Sequence, residues 1–224
     1  MTFKATDSLA EQIAQYLGNQ IIQGQVAPGE RIQELRIASE LRVSRGSVRE
    51  ALLILQRRHL VEIFPRRGAV VSGITASDVR DFFELWFLLL DRAVCHLALA
   101  WRNEDLAVFF ELMAQLDACH SQHDLQGFYE NGVEFLRALY THDSNRYLRD
   151  TLLDLLPLTQ RCVHAILRAG KSQISHTHRF LNDLLKAIIA RDTDSLHACV
   201  TAFGKDYSLL AQQSAVALEG SALR

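Results

Sequence analysis

A chain of 224 residues, 49% apolar and 22% charged, can bury a sizeable core and has the make-up of an ordinary globular protein, not of a disordered one. No apolar run approaches the roughly 18–20 residues that cross a bilayer, and the opening MTFKATDSLAEQ lacks the apolar centre of a signal peptide, so a cytosolic protein is expected. The formal net charge of −2 hides an asymmetry: residues 42–67 hold seven Arg against Glu50 and Glu62 alone, as expected of a face that docks on a polyanion.

The first helix is expected from about Ser8 to Gln23, where Leu9, Ile13, Tyr16, Leu17, Gln20 and Ile21 recur at helical spacing behind an N-cap at Asp7 or Ser8. Gly24, Pro28 and Gly29 then mark a turn. A second helix over 34–41 is expected to bury Leu35, Ile37, Ala38 and Leu41. A third, from about Ser44 to Arg58, buries Val48, Ala51, Leu52 and Leu55. The stretch LVEIFPRRGAVVSGI is rich in β-branched residues and centred on Gly68, which predicts two short strands joined at PRRG.

From Thr75 onward the pattern is helical. Thr75 and Asp78 form a capping-box-like start, and helices are expected near 76–101, 103–120, 123–141, 145–168, 173–190 and 194–218, with a kink at Pro157. The prediction is a mainly α protein. A winged helix-turn-helix of three helices and a small β-hairpin fills 1–74, and an all-helical bundle of about six helices fills 75–224. Cys95, Cys119, Cys162 and Cys199 are scattered, with no CxxC spacing, and read as buried thiols.

The segment ELRVSRGSVREALLILQRRHLVE carries the functional signal. At the start of the third helix, Arg45 and Arg49 are spaced i,i+4 and share one face, while the apolar positions share another. A helix so divided packs on its own domain and offers its N-terminus to a duplex major groove, where an Arg fork pairs bidentately with guanine or phosphate. Ser44 can cap this helix. Pro65, Arg66, Arg67 and Gly68 make a tight basic tip suited to backbone or minor-groove contact.

Residues 38–71, read as AxELxVSRxxVREALxxLxxxxLVExxPxRGAxV, resemble the winged-helix domain of the GntR family of bacterial transcription regulators. The helical remainder resembles the FCD domain of the FadR-like branch through NGVEFLRALYTHDSNRYL and LLKAIIARDTDSLHACV. The resemblance implies a homodimer on a short palindromic duplex operator, with an effector in the helical domain changing its affinity. The residues expected at DNA are Arg36, Arg42, Ser44, Arg45, Ser47, Arg49, Arg66, Arg67 and Gly68. Arg42 stands where the family usually has Gly, and Gly46-Ser47 replaces the usual Thr-Pro. An Arg needing φ > 0 at that turn costs roughly 1 kcal/mol relative to Gly.

Many FCD domains hold a divalent metal through an Asp and three His. The matching positions here are Gly132, Leu136, Leu181 and Phe203, which offer no ligand, so no metal and no cofactor are expected. An apolar or aromatic effector is favoured instead, near Trp86, Phe135, Leu136, Leu181 and Phe203, with Arg92 and Asn131 among the polar candidates beside His96, Arg161 and His164. Trp86 replaces an Arg that helps many relatives hold a carboxylate. No GxSxG, P-loop, GxGxxG or HExxH pattern occurs, so an enzyme is not expected. The alternative is a DNA-binding architectural or constitutive regulator whose helical part only dimerises.

Overall fold

The computed structural model describes residues 8–169 and 172–222, with side chains described for 8–166 and 173–210. It divides into two compact units, one reaching Ile74 and including Pro157–Arg161, the other formed by Thr75–Leu156 and the chain from Cys162 on.

In the first unit α1 (Leu9–Ile22) starts where the Glu11 N–H donates to the Ser8 hydroxyl at 3.1 Å. The other candidate cap, Asp7, lies outside the described residues. After the turn come β1 (Arg31–Ile32), α2 (Glu34–Leu41) and α3 (Arg45–Arg57), then β2 (Val61–Phe64) and β3 (Gly68–Val71). The strands form one antiparallel sheet in the order β1-β3-β2, with Ile63 facing Ala69 and Ile32 also opposite Ala69. Strand β1 is an addition to the expected hairpin.

Ile13, Ala14, Leu17 and Ile21 of α1 close on Val48, Ala51, Leu52 and Leu55 of α3, all buried, and each large aliphatic side chain so buried contributes about 1.5–3 kcal/mol. Gly18 permits the close approach, since a Cβ there would already touch Leu55 at 3.4 Å. The expected burial on α2 needs correction. Only Ala38 is buried, Ile37 and Leu41 are half-buried, and Leu35 is 65% exposed. Eight residues make barely two turns, and one small side chain suffices to seat the helix.

The second unit opens with a complete capping box. The Asp78 N–H donates to the Thr75 hydroxyl at 3.1 Å, and the Thr75 N–H donates to the Asp78 carboxylate at 2.9 Å. The helices that follow in the chain are α4 (Ala76–Ala100), α5 (Asn103–Gln122), α6 (Leu125–Thr141), α7 (Arg146–Ala169, with Pro157 inside its span), α8 (Ser172–Ala190) and α9 (Thr193–Ala222). The break expected at residues 169–172 falls partly outside the described residues. Helix α4 packs chiefly on α9, where a Cβ on Gly204 would meet the Phe87 ring at 3.1 Å. Its far end is held on α8, because the Trp101 indole donates to the Ile188 carbonyl at 2.9 Å and Arg191 lies 4.2 Å over the Trp101 ring. Among the described residues no helix is long and apolar enough to cross a membrane.

Candidate nucleic-acid interface

The path from α2 to α3 is set by two local devices. Arg42 takes the left-handed conformation (φ 54, ψ 44) and its N–H closes the end of α2 on Ala38 and Ser39. Ser44 then caps α3. Its hydroxyl accepts from the Ser47 N–H at 3.0 Å and lies 2.9 Å from the Ser47 hydroxyl. With Val48, Ala51, Leu52 and Leu55 turned inward, α3 holds its N-terminus clear of its own core. Arg45 and Arg49 project there, with side chains 53% and 63% exposed.

These two arginines do not stand alone. The Glu34 carboxylate, from the first turn of α2, accepts from Arg49 Nε at 2.8 Å and lies 3.6 Å from an Arg45 amino group. All three belong to the wall of a concavity of about 450 Å³, completed by Arg31, Ile32, Gln33, Leu35 and Gly68. The exposed Leu35 therefore belongs to this rim, where an apolar side chain can meet a thymine methyl. Arg31 and Glu34 are members of the site that sequence reading missed. They lie 14 and 11 residues from Arg45 in sequence, and only the folded unit shows them beside it.

At the start of β3 the wing tip turns through Arg66 (φ 63) and Gly68 (φ 79), and the Arg67 N–H donates to the Phe64 carbonyl at 3.2 Å. A residue with a side chain is strained at Gly68, whereas Arg66 accepts that conformation at some cost. Both tip arginines are exposed. Arg36, also exposed, is tied to Glu40 one turn on at 2.7 Å, and that hydrogen bond raises its already high pKa. So Arg45, Arg49 and Gly68 meet at one concavity, Arg42, Ser44 and Ser47 stand at the helix-turn-helix corner, and Arg66 and Arg67 form the tip.

The candidate effector residues are distributed differently. Trp86 is buried, and its indole N–H donates to the Tyr140 hydroxyl at 3.1 Å. Burial pushes the Tyr140 pKa up, keeping the hydroxyl neutral. Phe203 is stacked flat on Phe180, centroids 3.8 Å apart, and it approaches Tyr207 and Phe87. Trp86 joins this cluster through Phe87 at 4.7 Å. Leu181 is buried and Leu136 half-buried. Phe135 is wholly buried against Phe109 of α5, and Asn131 donates to the Gly127 carbonyl of its own helix at 2.8 Å. Arg92 is exposed. The structure thus brings Trp86 and Phe203 into one aromatic cluster and leaves Arg92 at the surface.

Four histidines of this unit lie against separate aspartates: His178 against Asp117 at 2.6 Å, His176 against Asp206 at 3.8 Å, His197 against Asp91 at 3.3 Å and His96 against buried Asp143 at 3.0 Å. His164 lies edge-on to Tyr129. Among the described residues, no three His, Cys, Asp or Glu side chains come together in a metal-holding group.

A three-helix unit with a wing, an exposed arginine pair at the third helix and an appended helical unit is the architecture of a DNA-binding transcription regulator. Comparison with known proteins identifies its kind. Residues 9–71 match the family model "Bacterial regulatory proteins, gntR family" and residues 81–204 match the FCD domain, so the chain belongs to the FCD-containing branch of the GntR family of transcription regulators. It is 26% identical over 152 residues, 67% of this chain and 68% of the other, to the HTH-type transcriptional regulator YdhC of Bacillus subtilis. It is 25% identical over 198 residues, 85% of this chain and 81% of the other, to the gluconate operon transcriptional repressor of Bacillus licheniformis. Among solved structures, McbR/YncC of E. coli shares the fold with a TM-score of 0.78 at 22% identity, over 93% of this chain and 99% of that one.

Proposed function

We propose that this regulator binds a short palindromic duplex operator as a homodimer, and that a small apolar or aromatic effector in the helical unit changes its affinity for DNA. The observation that carries the reading is the exposed Arg45–Arg49 pair at the capped start of α3, beside the wing. Arg45 and Arg49 read base edges, Ser44, Ser47 and Arg42 engage the neighbouring phosphates, and Arg66, Arg67 and Gly68 follow the backbone or minor groove. One such unit covers only a half-site, and a two-fold operator mirrors a two-fold protein. Exposed Leu85, Leu88 and Leu99 on α4 support dimerisation, since they are apolar surface of the kind a second copy covers.

The aromatic surroundings of Trp86 and Phe203 favour an apolar ligand, which would gain roughly 25 cal/mol per Å² of apolar surface buried. The absence of donors at Gly132, Leu136, Leu181 and Phe203 supports a metal-free helical unit. The stack of Phe203 on Phe180 favours a second reading, in which side chains fill the bundle and the helical unit only dimerises. Mass spectrometry of protein from its own host separates the two: a co-purifying small molecule that raises the melting temperature supports the first reading, and none supports the second.

Selection from a random duplex pool tests the main reading. It should enrich one sequence with two-fold symmetry, bound by a species sedimenting at twice the 25.3 kDa chain mass. An unsymmetrical half-site bound by single chains contradicts the dimer. No enrichment at all contradicts the DNA assignment of this face.

A further inference from the structure

An acid on a surface that meets a polyanion weakens every complex alike unless it does something selective. Glu34 is the only acid among the described residues that line the concavity. Its side chain is 22% exposed, less than either arginine it touches. It comes from α2 and engages two side chains of α3 through one oxygen, Oε2. Simple stability is a weak reason for such a pair, since exposed ion pairs contribute little to folding. The pair does something else. By taking Arg49 through Nε, the carboxylate fixes the plane of that guanidinium, and it restrains Arg45 beside it. Two long side chains with many rotamers are thereby held before DNA arrives.

We propose that Glu34 is a positioning residue that determines sequence specificity: it holds Arg45 and Arg49 in one orientation for base edges and withholds them from the phosphates of non-cognate duplex. The proposal rests on the reading of this face as the DNA-binding surface. Preset forks lose less freedom on pairing bidentately with a base. A fork held by a carboxylate is also partly neutralised, so it gains less from a phosphate wherever the base beneath it is wrong.

The test uses the full chain as wild type, Glu34→Gln and Glu34→Asp. Binding is measured by anisotropy on the duplex enriched by wild type and on a scrambled duplex of the same composition, over a range of salt. Glu34→Gln removes the charge and should bind the selected duplex roughly tenfold more weakly, within the discrimination that one bidentate contact carries. The same variant should bind scrambled duplex severalfold more tightly, with a salt slope steeper by about 0.9 for each phosphate newly engaged. Glu34→Asp keeps the charge but is one methylene too short for Arg45. It should bind the selected duplex more weakly than wild type, and scrambled duplex with an affinity between those of wild type and the Gln variant.

A merely structural ion pair would change both duplexes by the same factor, and that result, or an unchanged ratio in Glu34→Gln, overturns the proposal. If the Gln variant does not fold, the Asp variant decides alone, equal losses on both duplexes counting against. Failure of wild type itself to prefer any sequence overturns the DNA reading, and this proposal with it. That outcome is seen in the wild-type arm before any variant is compared.

Discussion

Replacing Arg42 by Gly should stabilise the protein while weakening its hold on DNA. Arg42 ends α2 with φ 54 and ψ 44, a conformation that costs an L-residue roughly 1–2 kcal/mol and costs Gly nothing. Gly adds about 0.4–1 kcal/mol of disorder to the unfolded chain, so the net gain is roughly 0.5–1 kcal/mol. The cap itself is made by backbone N–H groups, those of Arg42 on Ala38 and Ser39 and of Val43 on Ala38 at 3.0 Å, and it survives the change. In a chain of this size each kcal/mol moves the melting temperature by about 2–4 °C. The exposed guanidinium is lost, and with it one phosphate contact, which should lower the salt slope of operator binding by about 0.9. Scanning calorimetry and anisotropy at several salt concentrations read the two effects separately. A lower melting temperature would refute the strain argument. An unchanged salt slope would refute the phosphate contact.

Arg66→Ala together with Arg67→Ala should lower the salt slope by about 1–2 units on selected and scrambled duplex alike, since the wing tip meets backbone; equal slopes for wild type and variant would remove the wing from the interface. Thr75→Ala should cost about 1 kcal/mol at neutral pH by removing the cap of α4. Its pH dependence follows from Asp78, whose pKa is lowered first by the Thr75 hydroxyl and then by the Thr75 backbone. A carboxylate lowered on folding stabilises above its unfolded pKa of about 3.9 and loses that contribution as pH falls through the folded value, so the gap between wild type and variant should narrow in acid to the part held by the Asp78 N–H on the Thr75 hydroxyl. A gap of the same size at neutral and acid pH would mean the carboxylate takes no part. Elemental analysis of protein purified without chelator should find well under one zinc, nickel or manganese per chain; a stoichiometric metal that raises the melting temperature would overturn the metal-free reading.

The parts legible in the sequence were those set by local chemistry. Apolar spacing located α1 and α3, and the Thr-x-x-Asp pattern located the start of α4, whereas the left-handed turn at Arg42 was suggested only by the family's usual Gly at that position. Strand β1 was not legible because two residues behind the Pro28–Gly29 turn are too short to alternate. Leu35 misled for a physical reason: an apolar residue on a short helix reads as core, yet this one lies on the rim of the concavity. Glu34 was not legible as part of the site, since nothing in α2 alone points to arginines 11 and 15 residues ahead. In the helical unit the apolar character of Trp86 and Phe203 was visible, but the partners that occupy them, Tyr140 and Phe180, depend on how four helices pack.

On the proposed reading, Arg45 and Arg49 make α3 the sequence-reading helix. It is tested most directly by anisotropy on the selected and scrambled duplexes with Arg45→Ala and Arg49→Ala. Each variant should keep the wild-type melting temperature, since both side chains are exposed, and should lose about 1–3 kcal/mol on the selected duplex with a smaller loss on the scrambled one. Operator affinity unchanged in both variants would contradict the account.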